Sequence, residues 1–311
     1  MEVCGGHTHV IMKYGIRDVL PSNIKLISGP GCPVCVTSQR DIDSVIELSL
    51  NGVKIACYGD MIRVPGTKMS LRDAISKGAD IQIVYSTDDI EQDRIFFAIG
   101  FETTTPMTAA CLERGIKVFS SHKLIPPAMN AIKNDMKIDG FIDPGHVSTI
   151  TGSDVWNQLN TPQVICGFTP GMMIKAVHDL VLLIKNKQSI VKNNYEQVVT
   201  KDGNQTARAV VNRNMKVVDS EWRGLGIIPQ SGLDPRDDAL NARIIYKHLL
   251  ENIKSTENPS CRCSEVIRGL IEPTDCPLFG KTCTPTDPKG ACMVSKTEGA
   301  CAICYQYRGS Q

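Results

Sequence analysis

The sequence lacks the features that direct a chain to a membrane or to nucleic acid. Its formal net charge is only +1, its pI is near 7.5, and it has no long block of like charge, so no extended field would attract nucleic acid or an anionic bilayer. The longest clearly apolar run, LVLLI at residues 180–184, is too short to cross a bilayer. We therefore expect a small molecule or a protein as the partner.

Two familiar motifs are also missing. The first residues carry neither the basic nor the apolar segment of a secretory signal, which predicts a cytoplasmic protein. There is no phosphate-binding loop of the type G-x-x-x-x-G-K, so no motif indicates nucleotide use.

Cysteine, in contrast, is abundant. The 311 residues include 13 cysteines, of which six are scattered from Cys4 to Cys166 and seven lie between Cys261 and Cys304. A reducing compartment does not favour a structural disulfide framework. These cysteines therefore indicate metal binding or thiol redox chemistry.

The body of the chain alternates short apolar runs with segments of helical pattern, which is typical of βαβ units and parallel sheets. We predict an α/β fold with two small parallel-sheet units that face a cleft, followed by a Cys-rich iron-sulfur domain. The predicted helices cover residues 38–52, 70–80, 124–135 and 171–186, and the predicted strands cover residues 24–28, 53–59, 81–86, 94–100, 116–121, 140–143 and 163–168. The predicted parts are an N-terminal segment (1–19), α/β domain I (20–115), α/β domain II (116–235) and a helical, Cys-rich domain (236–311).

The Cys-rich tail contains the most specific pattern. Cys276, Cys283, Cys292 and Cys301 are separated by six, eight and eight residues in a segment rich in Pro and Gly. Four thiolates on loops can hold a 4Fe-4S cluster or a structural zinc, and the wide spacing favours the cluster, because zinc sites usually present closely spaced pairs. Cys261 and Cys263, which are separated by one residue, receive no role.

A second motif, C-x-x-C, is formed by Cys32 and Cys35 between a strand and a helix whose start is indicated by Ser38 and Asp41. The N-terminus of a helix stabilises a thiolate. A reversible dithiol is the first hypothesis, and half of a zinc site or a structural pair are the alternatives.

Other candidates lie at the chain start and at strand ends. The stretch CGGHTH places Cys4 and His7 beside two glycines, a donor set that suits iron, zinc or copper. Glu102 and His146 follow predicted strands, where ligands of open α/β sheets bind. Taken alone, each of these two is most simply a turn or cap residue.

Six ordered motifs carry a family resemblance. MEVCGGHTH, GPGCPVCVT, GFETTTP, DPGHVS, CGFTPG and the tail from CPLFG to GAC closely resemble the HypD family of NiFe-hydrogenase maturation proteins. The resemblance implies two α/β domains around a cleft and a third domain with a 4Fe-4S cluster. It also implies an accessory scaffold, rather than a stand-alone enzyme, on which an Fe(CN)2CO unit is assembled with a HypC-type chaperone. Cyanide would arrive from a thiocyanate on a HypE-type donor.

The resemblance also implies residue roles. Cys4 would be the thiolate that binds the transient iron, with His7 beside it, and Cys32 with Cys35 would relay electrons. The 4Fe-4S ligands would be Cys276, Cys283, Cys292 and Cys301.

Two departures from the family pattern stand out. Relatives usually carry a helical lead-in before CGGHTH, whereas here the motif begins at residue 4, and Cys304 stands where the family tends to show Tyr. Cys304 is therefore an alternative fourth ligand. The rival functions are a thiol-disulfide oxidoreductase that uses Cys32 and Cys35, and a zinc-stapled interaction protein.

Overall fold

A computed structural model describes residues 1–309. Six of the strands that it contains, those between residues 55 and 166, follow the apolar runs of the sequence, and the fully buried IFFAIG segment forms one of them. Such continuous burial is typical of central strands in parallel sheets. The strands are β1 Ile55–Tyr58, β2 Ile81–Val84, β3 Ile95–Gly100, β4 Lys117–Lys123, β5 Phe141–Pro144, β6 Gln163–Cys166, β7 Val191–Asn193, β8 Met215–Trp222 and β9 Gly226–Pro235.

The four predicted helices given above are all helical, and they correspond to α3, α4, α6 and α8. Residues 236–253, whose pattern also resembles one helix, instead form three short helical turns. The helices are α1 Gly5–Lys13, α2 Pro33–Val36, α3 Gln39–Leu50, α4 Leu71–Ser76, α5 Thr105–Glu113, α6 Ile125–Asp135, α7 Gly145–Thr151, α8 Pro170–Lys185, α9 Gln205–Asn214, α10 Ala242–Ile245, α11 Lys247–Leu250, α12 Cys263–Ile267 and α13 Ala300–Arg308. No helix within residues 1–309 is long and apolar enough to cross a membrane.

The larger sheet has the strand order β2-β1-β3-β4-β9-β8. Its first four strands are parallel, whereas β9 runs antiparallel to both β4 and β8. The prediction of parallel sheets is therefore wrong for this one, which is mixed. Residues 215–235, which lack any sustained periodicity in the sequence, form the hairpin β8–β9, whose tight turn uses Gly224 and Gly226 at positive φ.

The smaller sheet, β5-β6-β7, is parallel as predicted. The first residues of the chain extend it, because Glu2 forms parallel bridges to both Ser28 and Ile142. The predicted strand at residues 24–28 is thus reduced to a single bridge at Ser28. Glu2 is fully buried there, and its carboxylate accepts hydrogen bonds from Thr8 and from the backbone N–H of Cys4.

The larger sheet continues past residue 115, where the first predicted α/β domain ends. β4, β8 and β9 lie within residues 116–235 but pair with the strands of the larger sheet, so the larger sheet takes strands from both predicted α/β domains. Pairing between strands far apart in sequence depends on long-range packing, which local patterns do not encode. The predicted domain boundaries stay predictions.

A buried ionic cluster ties α3 to the larger sheet. Ser38 caps α3 as predicted, since its Oγ accepts the N–H of Asp41 at 3.1 Å. The Asp41 carboxylate, however, accepts hydrogen bonds from Ser121 at 2.7 Å and from Arg243 at 2.7 Å. Lys123 lies 3.8 Å from the same carboxylate and is 1% exposed.

The Cys-rich tail is mostly irregular between α11 and α13, with short 3-10 helices at Pro273–Asp275 and Ala291–Met293. It packs on the N-terminal segment through α13, where Tyr307 hydrogen-bonds His9 at 3.0 Å. It also packs on α2 through α12 and the second 3-10 helix. The tail, the chain start and the C-x-x-C segment therefore meet in one region.

Candidate metal and thiol site

The CGGHTH stretch forms the start of α1, and Cys4 is the residue before the helix. Cys4 is 2% exposed. The N–H of Gly5 donates to the carbonyl of Gly31 at 2.9 Å, and a Cβ on Gly31 would lie only 2.2 Å from the backbone nitrogen of Cys4. Glycine at position 31 therefore allows the loop before Cys32 to lie directly against Cys4.

His146 reaches the same place from the smaller sheet. It is the second residue of α7, at the carboxyl end of β5, and its Nδ1 lies 3.8 Å from Sγ of Cys4. This is the edge of a parallel sheet at which ligands bind. The two predicted candidates, Cys4 and His146, are thus brought together by the fold.

His7 is the fully buried imidazole of this group. Its Nε2 donates to the carbonyl of Cys166 at 3.1 Å, while its Nδ1 is buried and has no hydrogen-bond partner within residues 1–309. With the proton on Nε2, Nδ1 carries a free lone pair. The ring centroid of Phe168 lies 5.0 Å from that of His7 and 5.1 Å from that of His146, so Phe168 packs against both imidazoles.

Burial controls protonation in this group. Desolvation lowers the pKa of His7 and of His146 to about 4, and it raises the pKa of the Cys4 thiol far above its usual range. At neutral pH both imidazoles are uncharged and Cys4 is a thiol.

Cys32 and Cys35 form a disulfide with a Cα–Cα distance of 5.2 Å. Both are buried, and Cys32 precedes the short helix α2, where its Sγ accepts the N–H of Cys35. The predicted helix at Ser38 is therefore preceded by a further helical turn. Since Gly31 touches Cys4 and α2 packs on the tail, the disulfide loop contacts both of the other sites.

The tail cysteines surround one small cavity, here called the cysteine cavity. Its lining includes all four cysteines of the predicted quartet together with two that the sequence left without a role. The lining residues are Cys261, Cys263, Cys276, Phe279, Cys283, Gly290, Cys292, Met293 and Cys301. For Cys261 and Cys263, the sequence signal of this role is their position in the same Cys-dense stretch as the quartet.

Cys304 is buried but is absent from that lining. Burial raises its pKa to about 11. Among residues 1–309, no group of three or more His, Cys, Asp or Glu side chains is arranged so that it could hold a metal ion. The predicted metal sites therefore remain predictions.

Glu102 occupies a different position. Its Oε1 accepts the N–H of Ile125, the first residue of α6, at 2.9 Å, while its Oε2 is buried and has no hydrogen-bond partner among residues 1–309. Burial raises its pKa to about 7. No hydrogen bond in the described part of the chain joins Glu102 to Cys4, His7 or His146, and its contacts are those of a helix cap.

Comparison with known proteins places these features in a family. A family model described as "HypD: Hydrogenase formation hypA family" matches residues 1–308. The chain is 43% identical to the hydrogenase maturation factor HypD of Azotobacter vinelandii, over 99% of this chain and 88% of that protein. It is 40% identical to the factor of the same name from Escherichia coli, over 99% and 88%. It is 41% identical to a putative hydrogenase expression/formation protein of Methanocaldococcus jannaschii, over 99% and 91%.

A match along nearly the whole chain shows common descent, because a shared local motif would cover only a short segment. The chain belongs to the HypD family of hydrogenase maturation factors.

Proposed function

We propose that this protein is the scaffold on which the Fe(CN)2CO unit of a NiFe-hydrogenase is assembled, together with a HypC-type chaperone and a HypE-type cyanide donor. One observation carries the proposal. Cys4, the Cys32–Cys35 loop and the cysteine cavity come from distant parts of the chain and meet in one packed region. Iron binding, two-electron thiol chemistry and single-electron supply would then operate side by side.

Cys4 is the residue that would bind the iron, which is the cargo of the reaction. A thiolate is a soft ligand suited to low-spin iron, and the free lone pair on Nδ1 of His7 offers a nitrogen donor in the same buried neighbourhood. Binding releases the thiol proton, because only a thiolate ligates. His146 is the half-buried member of this group, so the iron and the chaperone would approach from its side.

Cys32 and Cys35 would supply the electrons for cyanide release. Splitting the S–CN bond of the donor into a thiolate and cyanide consumes two electrons. Oxidation of the dithiol to the disulfide seen here releases two electrons and two protons. Before the next round, the disulfide must regain two electrons and two protons.

The cysteine cavity would hold the resident 4Fe-4S cluster through Cys276, Cys283, Cys292 and Cys301. Its donor set fits such a group, since the cavity is lined by thiols with Phe279 and Met293 and includes no carboxylate or imidazole. The wide spacing of the four cysteines along the chain also favours a four-iron cube over one zinc ion, because zinc sites usually present closely spaced pairs of ligands. When bound, the cluster supplies single electrons.

The rival oxidoreductase hypothesis is disfavoured by burial. Cys32 and Cys35 are 4% and 2% exposed, whereas a dithiol that acts on free proteins must present an accessible attacking thiolate. A dithiol that serves a neighbouring internal site has no such requirement.

The proposal is tested by purifying the protein with its HypC-type partner under argon and recording infrared spectra. We expect cyanide and carbonyl stretches on the complex, and we expect Cys4→Ala to remove them. Cys57→Ala is the matched control, because Cys57 is also a fully buried thiol but lies in β1. Equal spectra for the two variants would refute the assignment of Cys4.

Chemical analysis tests the cluster. Anaerobic protein should be brown and contain about four irons and about four sulfides per chain. Colourless protein with one tightly bound zinc would support the interaction-protein hypothesis instead.

A further inference from the structure

Two cysteines of the cysteine cavity are in direct contact. Sγ of Cys263, at the start of α12, lies 2.8 Å from Sγ of Cys292, in the 3-10 helix Ala291–Met293. Both residues line the cavity and are 4% and 2% exposed. Neither is in a disulfide. The spacing of the sequence had placed only Cys292 in the ligand set.

The chain is built to allow this approach. Gly290 precedes the 3-10 helix, and a Cβ at this position would lie 2.4 Å from Sγ of Cys261 and 3.3 Å from Cβ of Cys263. A side chain at residue 290 would therefore push the C-x-C segment away from the cavity. The close packing of Cys263 on Cys292 depends on that glycine.

The sulfur–sulfur distance limits what the pair can do. Each iron of a 4Fe-4S cube takes one protein thiolate. Thiolates on different irons point outward from different corners, so their sulfurs lie much farther apart than the 2.8 Å between Cys263 and Cys292. As they lie here, the two sulfurs are too close together to serve two different corners at once.

We propose that Cys263 and Cys292 serve the same corner of the cluster, so that either thiolate can be the fourth ligand beside Cys276, Cys283 and Cys301. The inference rests on the proposed cluster function of the cavity. It adds a ligand that the spacing of the quartet does not predict. One corner would then have two cysteines available, whereas each of the other three corners would have one.

The test compares single and double variants purified anaerobically, with iron and sulfide per chain, visible absorption and electron paramagnetic resonance as readouts. Cys292→Ala and Cys263→Ala should each keep more than half of the wild-type iron and sulfide. The double variant should fall to the level of Cys283→Ala, which removes a corner without a spare thiol. Cys304→Ala is the control, since Cys304 is equally buried in the same tail but does not line the cavity, and it should match the wild type.

Three results would overturn the inference. These are depletion of Cys292→Ala to the level of Cys283→Ala, the same depletion of Cys263→Ala, or a double variant that stays as loaded as the singles. Far-ultraviolet circular dichroism checks folding, and the valine variants, which fill the space but cannot ligate iron, decide the matter where an alanine variant fails to fold. Wild-type protein without iron and sulfide would refute the proposed cluster itself, which is a distinct outcome.

Discussion

Sγ of Cys4 lies 3.8 Å from Nδ1 of His146, although the two residues are 142 positions apart. The contact exists because Glu2 adds to the edge of the smaller sheet beside Ile142, which places the next residues of the chain at the carboxyl end of β5. Desolvation keeps both groups uncharged, so the free protein holds a thiol beside a neutral imidazole. A metal that binds Cys4 must therefore displace a proton.

The first prediction concerns the reactivity of Cys4. Because burial raises the pKa of its thiol far above the usual range, little thiolate forms between pH 7 and pH 9. Alkylation of Cys4 by iodoacetamide should be at least about tenfold slower than that of glutathione and should change little over this range. Peptide mapping by mass spectrometry measures the rate. Labelling as fast as that of glutathione would contradict the buried thiol.

The second prediction concerns Gly31. Alanine there would place a Cβ 2.2 Å from the backbone nitrogen of Cys4. Such overpacking against backbone should lower the free energy of unfolding by about 1–3 kcal/mol and should abolish iron capture at Cys4. Gly171→Ala is the control, because no atom of the described residues lies within 4 Å of its added Cβ and alanine favours a helix. Urea denaturation compares the two, and equal stability of both variants would refute the close contact.

The third prediction concerns pH. Burial raises the pKa of Glu102 from 4.5 to about 7, so the folded protein holds a proton that the unfolded chain releases. Wild-type stability should therefore fall as pH rises from about 4.5 to about 7, by up to about 3 kcal/mol from this group.

Glu102→Gln removes this titration. The difference in unfolding free energy between the variant and the wild type should grow in favour of the variant between pH 4 and pH 8. Urea denaturation at a series of pH values measures it. Parallel stability curves would show that Glu102 does not titrate as its burial demands.

The fourth prediction concerns the buried ionic cluster on α3. Arg243→Met removes the 2.7 Å hydrogen bond to Asp41 and the bonds to the carbonyl of Ser120, while it can still pack against the ring of Phe119. The Asp41 carboxylate keeps the hydrogen bond from Ser121 and has Lys123 at 3.8 Å, so we expect the free energy of unfolding to fall by about 3 kcal/mol. Lys54→Met breaks an ion pair that is about half exposed on both sides and should leave thermal stability nearly unchanged. Similar melting temperatures for the two variants would contradict this ranking.

Local patterns determined much of the fold. β3 was predictable because its six residues are apolar and buried on both faces, and α3 was predictable from its cap at Ser38 and its helical period. The hairpin β8–β9 was missed, because β8 is buried only at its two ends, Met215 and Trp222, and carries no sustained apolar pattern. The hairpin pairs with the rest of the sheet through β9 and β4, a long-range contact that local sequence does not record.

The candidate site was also predictable only in part. The sequence by itself determined the family, through ordered motifs, and named Cys4, the C-x-x-C pair and the tail quartet, because residue type and spacing record ligand chemistry. Only the tertiary structure decided that Cys4 meets His146, that Cys261 and Cys263 join the cysteine cavity, and that Glu102 caps α6. These relationships depend on contacts between segments far apart in the chain, and such contacts form only when sheets and helices pack.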